Sequence, residues 1–178
     1  MSSLNLRGLT HIAVVAGLSL GLSACFRPLH GPTASGVTMQ ATLAAIDVPE
    51  IQWPPDQANM GHYLRSELIY ALNGSGSNTP KRYILRLQLG KSLSTPIVDS
   101  ETGRASSATL TGRLTYTLTN ATDQQVVTQG TATSNATYDR FPQRFATVRA
   151  GRDAEIRLAK VLADQVRTRL AAALSPRS

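Results

Sequence analysis

The spacing of the apolar residues changes twice along the chain, and this feature constrains the fold more than any other. Apolar side chains recur at helical spacing over residues 60–72, alternate with polar ones over 83–118, and return to helical spacing over 158–174. Helical spacing places side chains on one face of a helix, whereas strict alternation is typical of a strand with one buried face. The sequence therefore predicts, in chain order, an amphipathic helix, the strands of a sheet and a second amphipathic helix.

The first part of this pattern has recognisable ends. A short strand is predicted over residues 43–48, because this apolar run stops at Pro49, which cannot donate to a β-ladder. Asp56 is the predicted N-cap of the helix that follows. Asn73 and Gly74 are expected to end that helix, since both residue types tolerate the left-handed conformation beyond a helix C-terminus.

The second part of the pattern predicts three strands and a long helix. The strands begin near residues 83, 109 and 125, with a hairpin loop over 99–103 between the first two, and the helix covers about 145–174. Leucine alternates with threonine in the middle strand, so one face of the sheet is expected to meet water. The predicted fold is α+β, a two-layer sandwich of order β-α-β-β-β-α. Two helices pack on one face of a mostly antiparallel, mixed four-stranded sheet.

A short apolar run precedes the only cysteine of the chain. The run over residues 9–22 follows Arg7 and is shorter than the roughly 20 residues that span a membrane, as in a secretion signal. It ends in Leu22-Ser23-Ala24-Cys25, which resembles a bacterial lipobox. The resemblance implies cleavage before Cys25 and a covalent N-acyl diacylglycerol anchor on that residue. The alternative is a buried free cysteine.

The lipobox interpretation also predicts how the chain is organised and where it is located. Residues 1–24 are the expected signal peptide, 25–42 the lipidated N-terminus and tether, and 43–175 a periplasmic α/β domain. Phe26, rather than aspartate, follows the cysteine. By resemblance to lipoprotein sorting, this residue predicts an outer-membrane location with the domain facing the periplasm.

Composition limits the possible functions. With Cys25 acylated, no thiol remains for a disulfide, no Cys/His cluster is present for zinc, and no other cofactor is expected. Ser66 and Glu67 lie near His62, but no nucleophile elbow or phosphate loop accompanies them, so the chain is not expected to be an enzyme.

The charge of the chain predicts anionic partners. The net charge of +7 falls to +6 without Arg7, which favours phospholipid heads, lipopolysaccharide phosphates or nucleic acid, or serves solubility alone. Nucleic-acid binding is not expected, because stacking aromatic residues are few.

Five segments, taken in order, carry a resemblance to a known group of proteins. They are Cys25-Phe26-Arg27-Pro28-Leu29-His30-Gly31, Leu64-Arg65-Ser66-Glu67-Leu68, Arg82-Tyr83-Ile84-Leu85, Leu114-Thr115-Tyr116-Thr117-Leu118 and Arg152-Asp153-Ala154. Together they resemble the LptE family of lipopolysaccharide-assembly lipoproteins. The likeness covers nearly the whole chain after the signal, although no glycine follows Cys25 and His30 stands where the family has tyrosine.

The resemblance implies a role in the outer membrane. Members of the family plug the LptD barrel, assist its assembly and help to insert lipopolysaccharide into the outer leaflet. The expected partners are therefore an LptD-type β-barrel, lipopolysaccharide and the membrane itself. An envelope lipoprotein that binds another protein partner is the alternative. The candidate lipopolysaccharide contacts are basic residues in predicted loops: Lys81, Arg82, Arg104, Arg140 and Arg144.

Overall fold

The structure, a computed structural model, describes residues 38–74, 76, 78–95, 101 and 103–175. The predicted signal, Cys25, residues 26–37 of the tether and most of the predicted hairpin loop lie outside the described residues. In chain order the elements are helix α1 (Met39–Ala44), strand β1 (Ile46–Asp47), helix α2 (Ala58–Asn73), strands β2 (Tyr83–Ser94), β3 (Ser107–Asn120) and β4 (Val126–Asp139), and helix α3 (Arg144–Leu174).

The four strands form one mixed sheet in the order β1-β2-β3-β4. The short β1 lies parallel to β2, whereas β2, β3 and β4 form an antiparallel meander. Leu114 in the middle of β3 stands opposite Leu89 of β2 on one side and Ala132 of β4 on the other. The α+β class and the mixed, mostly antiparallel sheet are therefore confirmed.

The core lies between the helices and one face of this sheet. Gly112 of β3 belongs to that face, and a Cβ atom there would come within 3.0 Å of both Met60 Cε and Leu162 Cδ1. The missing side chain thus lets α2 and α3 approach the sheet at the same point. The fully buried leucines of the two long helices and of β3 belong to one core cluster, as the alternation in β3 and the four-residue spacing in α3 predict.

The opposite face of the sheet is polar. Threonine side chains of β3 and β4 meet across the strands, with 3.2 Å between the hydroxyls of Thr109 and Thr137 and 3.4 Å between those of Thr115 and Thr131. Such pairs suit a pleated surface in contact with water. Two cross-strand threonine pairs therefore lie on the predicted wet face.

The strand predicted over residues 43–48 is wrong in extent. Met39 and Leu43, four residues apart, are 2% and 0% exposed on helix α1, which packs against α2, and only Ile46 and Asp47 form a strand. Thr38 caps this helix by accepting a hydrogen bond from the N–H of Ala41 at 3.2 Å. Residues 39–42, assigned to the tether from sequence, thus belong to a third helix, and the order becomes α-β-α-β-β-β-α.

The ends of α2 are partly as predicted. The N-cap is Gln57 rather than Asp56, because a turn places the Gln57 N–H 2.8 Å from the Pro54 carbonyl and shifts the helix start by one residue. Gly74 ends the helix with a φ of 58°, as expected for glycine at this position.

Ion pairs join and support the long helix α3. The Lys91 ammonium of β2 lies 3.0 Å from the Glu155 carboxylate of α3, and both side chains are largely shielded from solvent. Asp153 and Arg157 form an exposed pair at 2.8 Å along the helix.

The described helices were also compared with the length and hydropathy of a membrane span. Within the described residues, none of them combines the length and the apolar character that crossing a bilayer requires.

Candidate functional site

A pocket of about 690 Å³ opens at one end of the sheet. It lies where the segment entering β3 meets the connection from β4 to α3. The lining residues are Arg104, Ala105, Ser106, Arg140, Phe141, Pro142, Arg144, Thr147 and Val148. Three of the five basic residues singled out from sequence, Arg104, Arg140 and Arg144, therefore line one cavity.

Backbone and hydroxyl hydrogen bonds hold the walls of this pocket together. The Arg140 N–H donates to the Ser106 carbonyl at 2.9 Å, which extends the β3–β4 pairing by one step and keeps Arg140 close to Arg104. The Thr147 hydroxyl accepts from the Phe141 N–H at 2.8 Å and donates to the Phe141 carbonyl at 3.0 Å. The connection is thus fixed against the first turn of α3, beside Arg144.

The chemistry of the pocket is basic and apolar together. Three arginines line it, and no acidic residue does so within the part of the chain that the structure describes. Guanidinium groups match phosphate and carboxylate oxygens well, because their planar donors can bind two oxygens at once. The pocket is therefore suited to an anionic group attached to apolar carbon.

Exposed apolar side chains continue this site along the start of α3. Phe145 is 73% exposed, Val148 59% and Phe141 48%, and the Arg149 guanidinium lies 5.8 Å from the centre of the Phe145 ring. The first buried residue of α3 is Ala154, so the turns before it extend past the core. Exposed apolar residues grouped beside cations are typical of a binding surface.

These apolar residues were missed from sequence, although a signal was present. Phe145 lies about 140° around the helix from the core residue Leu158, at the usual 100° per residue. An aromatic residue so far out of phase with the buried stripe indicates a second apolar surface. An Arg-Phe pair also occurs twice within residues 140–145 and pointed to the same place.

Lys81 and Arg82 lie at the opposite end of the sheet. Tyr83 starts β2 there, and the twelve residues of this strand extend over roughly 36 Å. The Lys81 ammonium donates to the carbonyls of Ala44 at 2.8 Å and Ile46 at 3.1 Å, so it stabilises the end of α1. Arg82 borders a separate cavity of about 280 Å³. The structure therefore brings three of the five candidates together in one pocket and places Lys81 and Arg82 at the other end of the sheet.

Two other kinds of site, a metal site and the lipidation site, were considered. Among the described residues, no group of three or more His, Cys, Asp or Glu side chains could hold a metal ion. Cys25, the predicted lipidation site, lies outside the described residues, so its modification stays a prediction. The arginine pocket is taken as the candidate site, because it joins three arginines to exposed apolar side chains.

Comparisons with known proteins place the fold and the family. The sequence model of one protein family, described as LptE: Lipopolysaccharide-assembly, matches residues 43–170. A candidate lipoprotein from Caulobacter crescentus CB15 is similar in structure, with a TM-score of 0.59 and 24% identity over 75% of this chain and 93% of that one. Rare lipoprotein B from Shewanella oneidensis has a TM-score of 0.50 and 14% identity, over 71% and 93%. The curated proteins contain no match.

Proposed function

Because this chain belongs to the LptE family of lipopolysaccharide-assembly proteins, we propose that it is an outer-membrane lipoprotein that partners with an LptD-type barrel. In this role it plugs the barrel, assists its assembly and helps to insert lipopolysaccharide into the outer leaflet. The family match over residues 43–170 carries the proposal, since it covers the whole sheet and nearly all of α3. No enzymatic step is part of this function.

The arginine pocket supports a direct contact with lipopolysaccharide. This lipid joins phosphate groups to acyl chains, and the pocket places Arg104, Arg140 and Arg144 beside the exposed Phe141 and Val148. A phosphate can pair with the guanidinium groups while apolar carbon covers the aromatic and aliphatic side chains. We propose that the lipid binds here, and that Lys81 and Arg82 are not part of the same site.

Capture of the barrel tests the proposed partnership. The tagged, full-length lipoprotein is isolated from detergent-solubilised outer membranes, and the proteins that accompany it are identified by mass spectrometry. We expect a large LptD-type barrel in the isolated complex. Depletion of the lipoprotein should also lower the amount of correctly assembled barrel and make cells permeable to large apolar antibiotics. Isolation without any large barrel would leave only the alternative, an envelope lipoprotein with another protein partner.

The anchor is tested separately at Cys25. Since this residue is the only cysteine and follows Leu22-Ser23-Ala24, Cys25→Ala should abolish lipidation and leave the signal uncleaved. Loss of the acyl chains removes about 0.8 kcal/mol of membrane binding for each buried CH2, so the anchor would be lost. Growth with a radioactive fatty acid gives the measurement. Ser23→Ala is the matched control and should be labelled like the natural protein; equal label on the Cys25→Ala protein would contradict the prediction.

A further inference from the structure

One of the two edges of the sheet is formed by β4, the last strand in the described order. The Arg140 N–H donates to the Ser106 carbonyl just beyond this strand, so the even-numbered residues here direct their backbone groups toward β3. Backbone direction alternates along a strand of an antiparallel pair. The N–H and C=O groups of Thr131, Thr133, Asn135 and Thr137 therefore point away from the sheet.

The strand itself has few of the features that usually prevent pairing with another chain. Exposed edges are normally short, or carry lysine, proline or an irregularity in the strand. β4 has 14 residues, and Asp139 at its end is its only charged residue. It contains no proline. The one shift in its register with β3 lies at the start of β4, opposite Leu118 and Thr119. Protection of this edge must come from elsewhere in the molecule.

Three side chains of α3 bond to the exposed carbonyls of this edge. Arg157 Nη2 donates to the Thr137 carbonyl at 3.1 Å, and Gln165 Nε2 donates to the Thr133 carbonyl at 3.4 Å. Arg169 Nη1 donates to the Thr131 carbonyl. The spacing fits, because four helical residues rise about 6 Å and two strand residues about 6.8 Å.

Among the described residues, no side chain of α3 donates to the remaining outward carbonyl, that of Asn135. Val161 occupies the helix position between Arg157 and Gln165, in register with Asn135, and an isopropyl group cannot donate a hydrogen bond. Of the four outward carbonyls from residue 131 to residue 137, three thus accept a hydrogen bond from a long polar side chain of α3. They occupy the carbonyls that an added strand would need.

We propose that Arg157, Gln165 and Arg169 form a cover that prevents β4 from pairing with β4 of a second copy of this chain. Two identical edges can pair antiparallel about a two-fold axis, since each presents the same alternation of donors and acceptors. Asn135 stands at the centre of the exposed segment and provides the uncovered step. This inference does not depend on the proposed lipid or barrel binding.

Removal of the three donors tests the cover. In the variant Arg157→Met, Gln165→Met and Arg169→Met, each side chain keeps its apolar stem but loses its N–H groups. The full-length lipoprotein in detergent is compared with the natural protein by sedimentation equilibrium. We expect the natural protein to remain monomeric, and the self-association constant of the variant to rise at least ~tenfold.

Two further variants make the test specific. Lys160→Met, Asp164→Met and Thr168→Met add the same three side chains at exposed positions of the same helix and should leave the protein monomeric. Asn135→Pro, added to the donor-free variant, removes the outward N–H at the centre of the edge and should restore the monomer. If the donor-free variant does not fold, Arg157→Met with Arg169→Met decides the question, since the Gln165 bond is the weakest by distance. A monomeric donor-free variant, or association that Asn135→Pro does not change, would overturn the proposal.

Discussion

Replacement of Leu162 by aspartate is expected to unfold the domain. Leu162 is 0% exposed, on the side of α3 that faces the sheet, and its Cδ1 lies where Gly112 leaves room for it. A carboxylate there would be buried without a partner, which costs far more than the loss of apolar contacts. Typical domains are stable by only about 5–15 kcal/mol, so one such change can exceed the margin.

The alanine variant at the same position should lower the stability by a measurable amount. Leu162→Ala removes buried carbon and leaves a cavity, and we expect the free energy of unfolding to fall by ~2–5 kcal/mol. Chemical denaturation followed by circular dichroism measures this change. Val161, the next residue, is 43% exposed and provides the control. Val161→Ala should change the stability by less than about 0.5 kcal/mol. A comparably small effect of Leu162→Ala would mean that the buried face of α3 is wrongly assigned.

Reversal of two pocket charges is expected to weaken lipopolysaccharide binding at least ~tenfold, which corresponds to about 1.4 kcal/mol. The change is Arg104→Glu with Arg140→Glu. Each exposed ion pair typically contributes about 0.2–1 kcal/mol, and reversal replaces that attraction with repulsion. The domain without residues 1–25 is titrated with lipopolysaccharide at several salt concentrations. Binding should weaken as salt rises, because exposed charges are screened over ~8–10 Å near physiological ionic strength.

A second pair of arginines, outside the pocket, tests whether the position of the charges matters as well as their number. Arg86 and Arg113 are exposed on the strands, outside the pocket, so Arg86→Glu with Arg113→Glu changes the net charge equally. The pocket variant should lose binding while its thermal midpoint stays nearly unchanged, and the control pair should retain most of the affinity. Equal losses in both variants would show that net charge, rather than the pocket, attracts the lipid.

The sequence by itself determined the long elements and their buried faces. The spacing of Leu158, Leu162 and Val166 predicted the buried face of α3, and the alternation from Leu110 to Leu118 predicted the buried face of β3. These patterns are local, since the helix repeat and the strand repeat place side chains on a face within one element. The end of α2 at Gly74 was also predicted correctly, because the conformation at a helix terminus depends on adjacent residues.

Short apolar runs were harder to interpret. Residues 43–48 fitted a strand, yet the first two of them belong to a helix of six residues. Periodicity cannot separate helix from strand over so few residues. Burial of Met39 and Leu43 in the core decided between them, and that burial depends on where α2 lies in space.

The candidate site was determined only by the tertiary structure. Arg104 and Arg140 are distant in sequence, and they line one pocket because Ser107 pairs with Asp139 in the β3–β4 register. Lys81 resembled the other candidates in sequence, but it bonds to backbone carbonyls near α1 at the far end of the sheet. The cover on β4 likewise depends on how α3 lies along that strand. Local patterns specify which face of an element is buried, whereas strand register and helix packing decide which distant side chains meet.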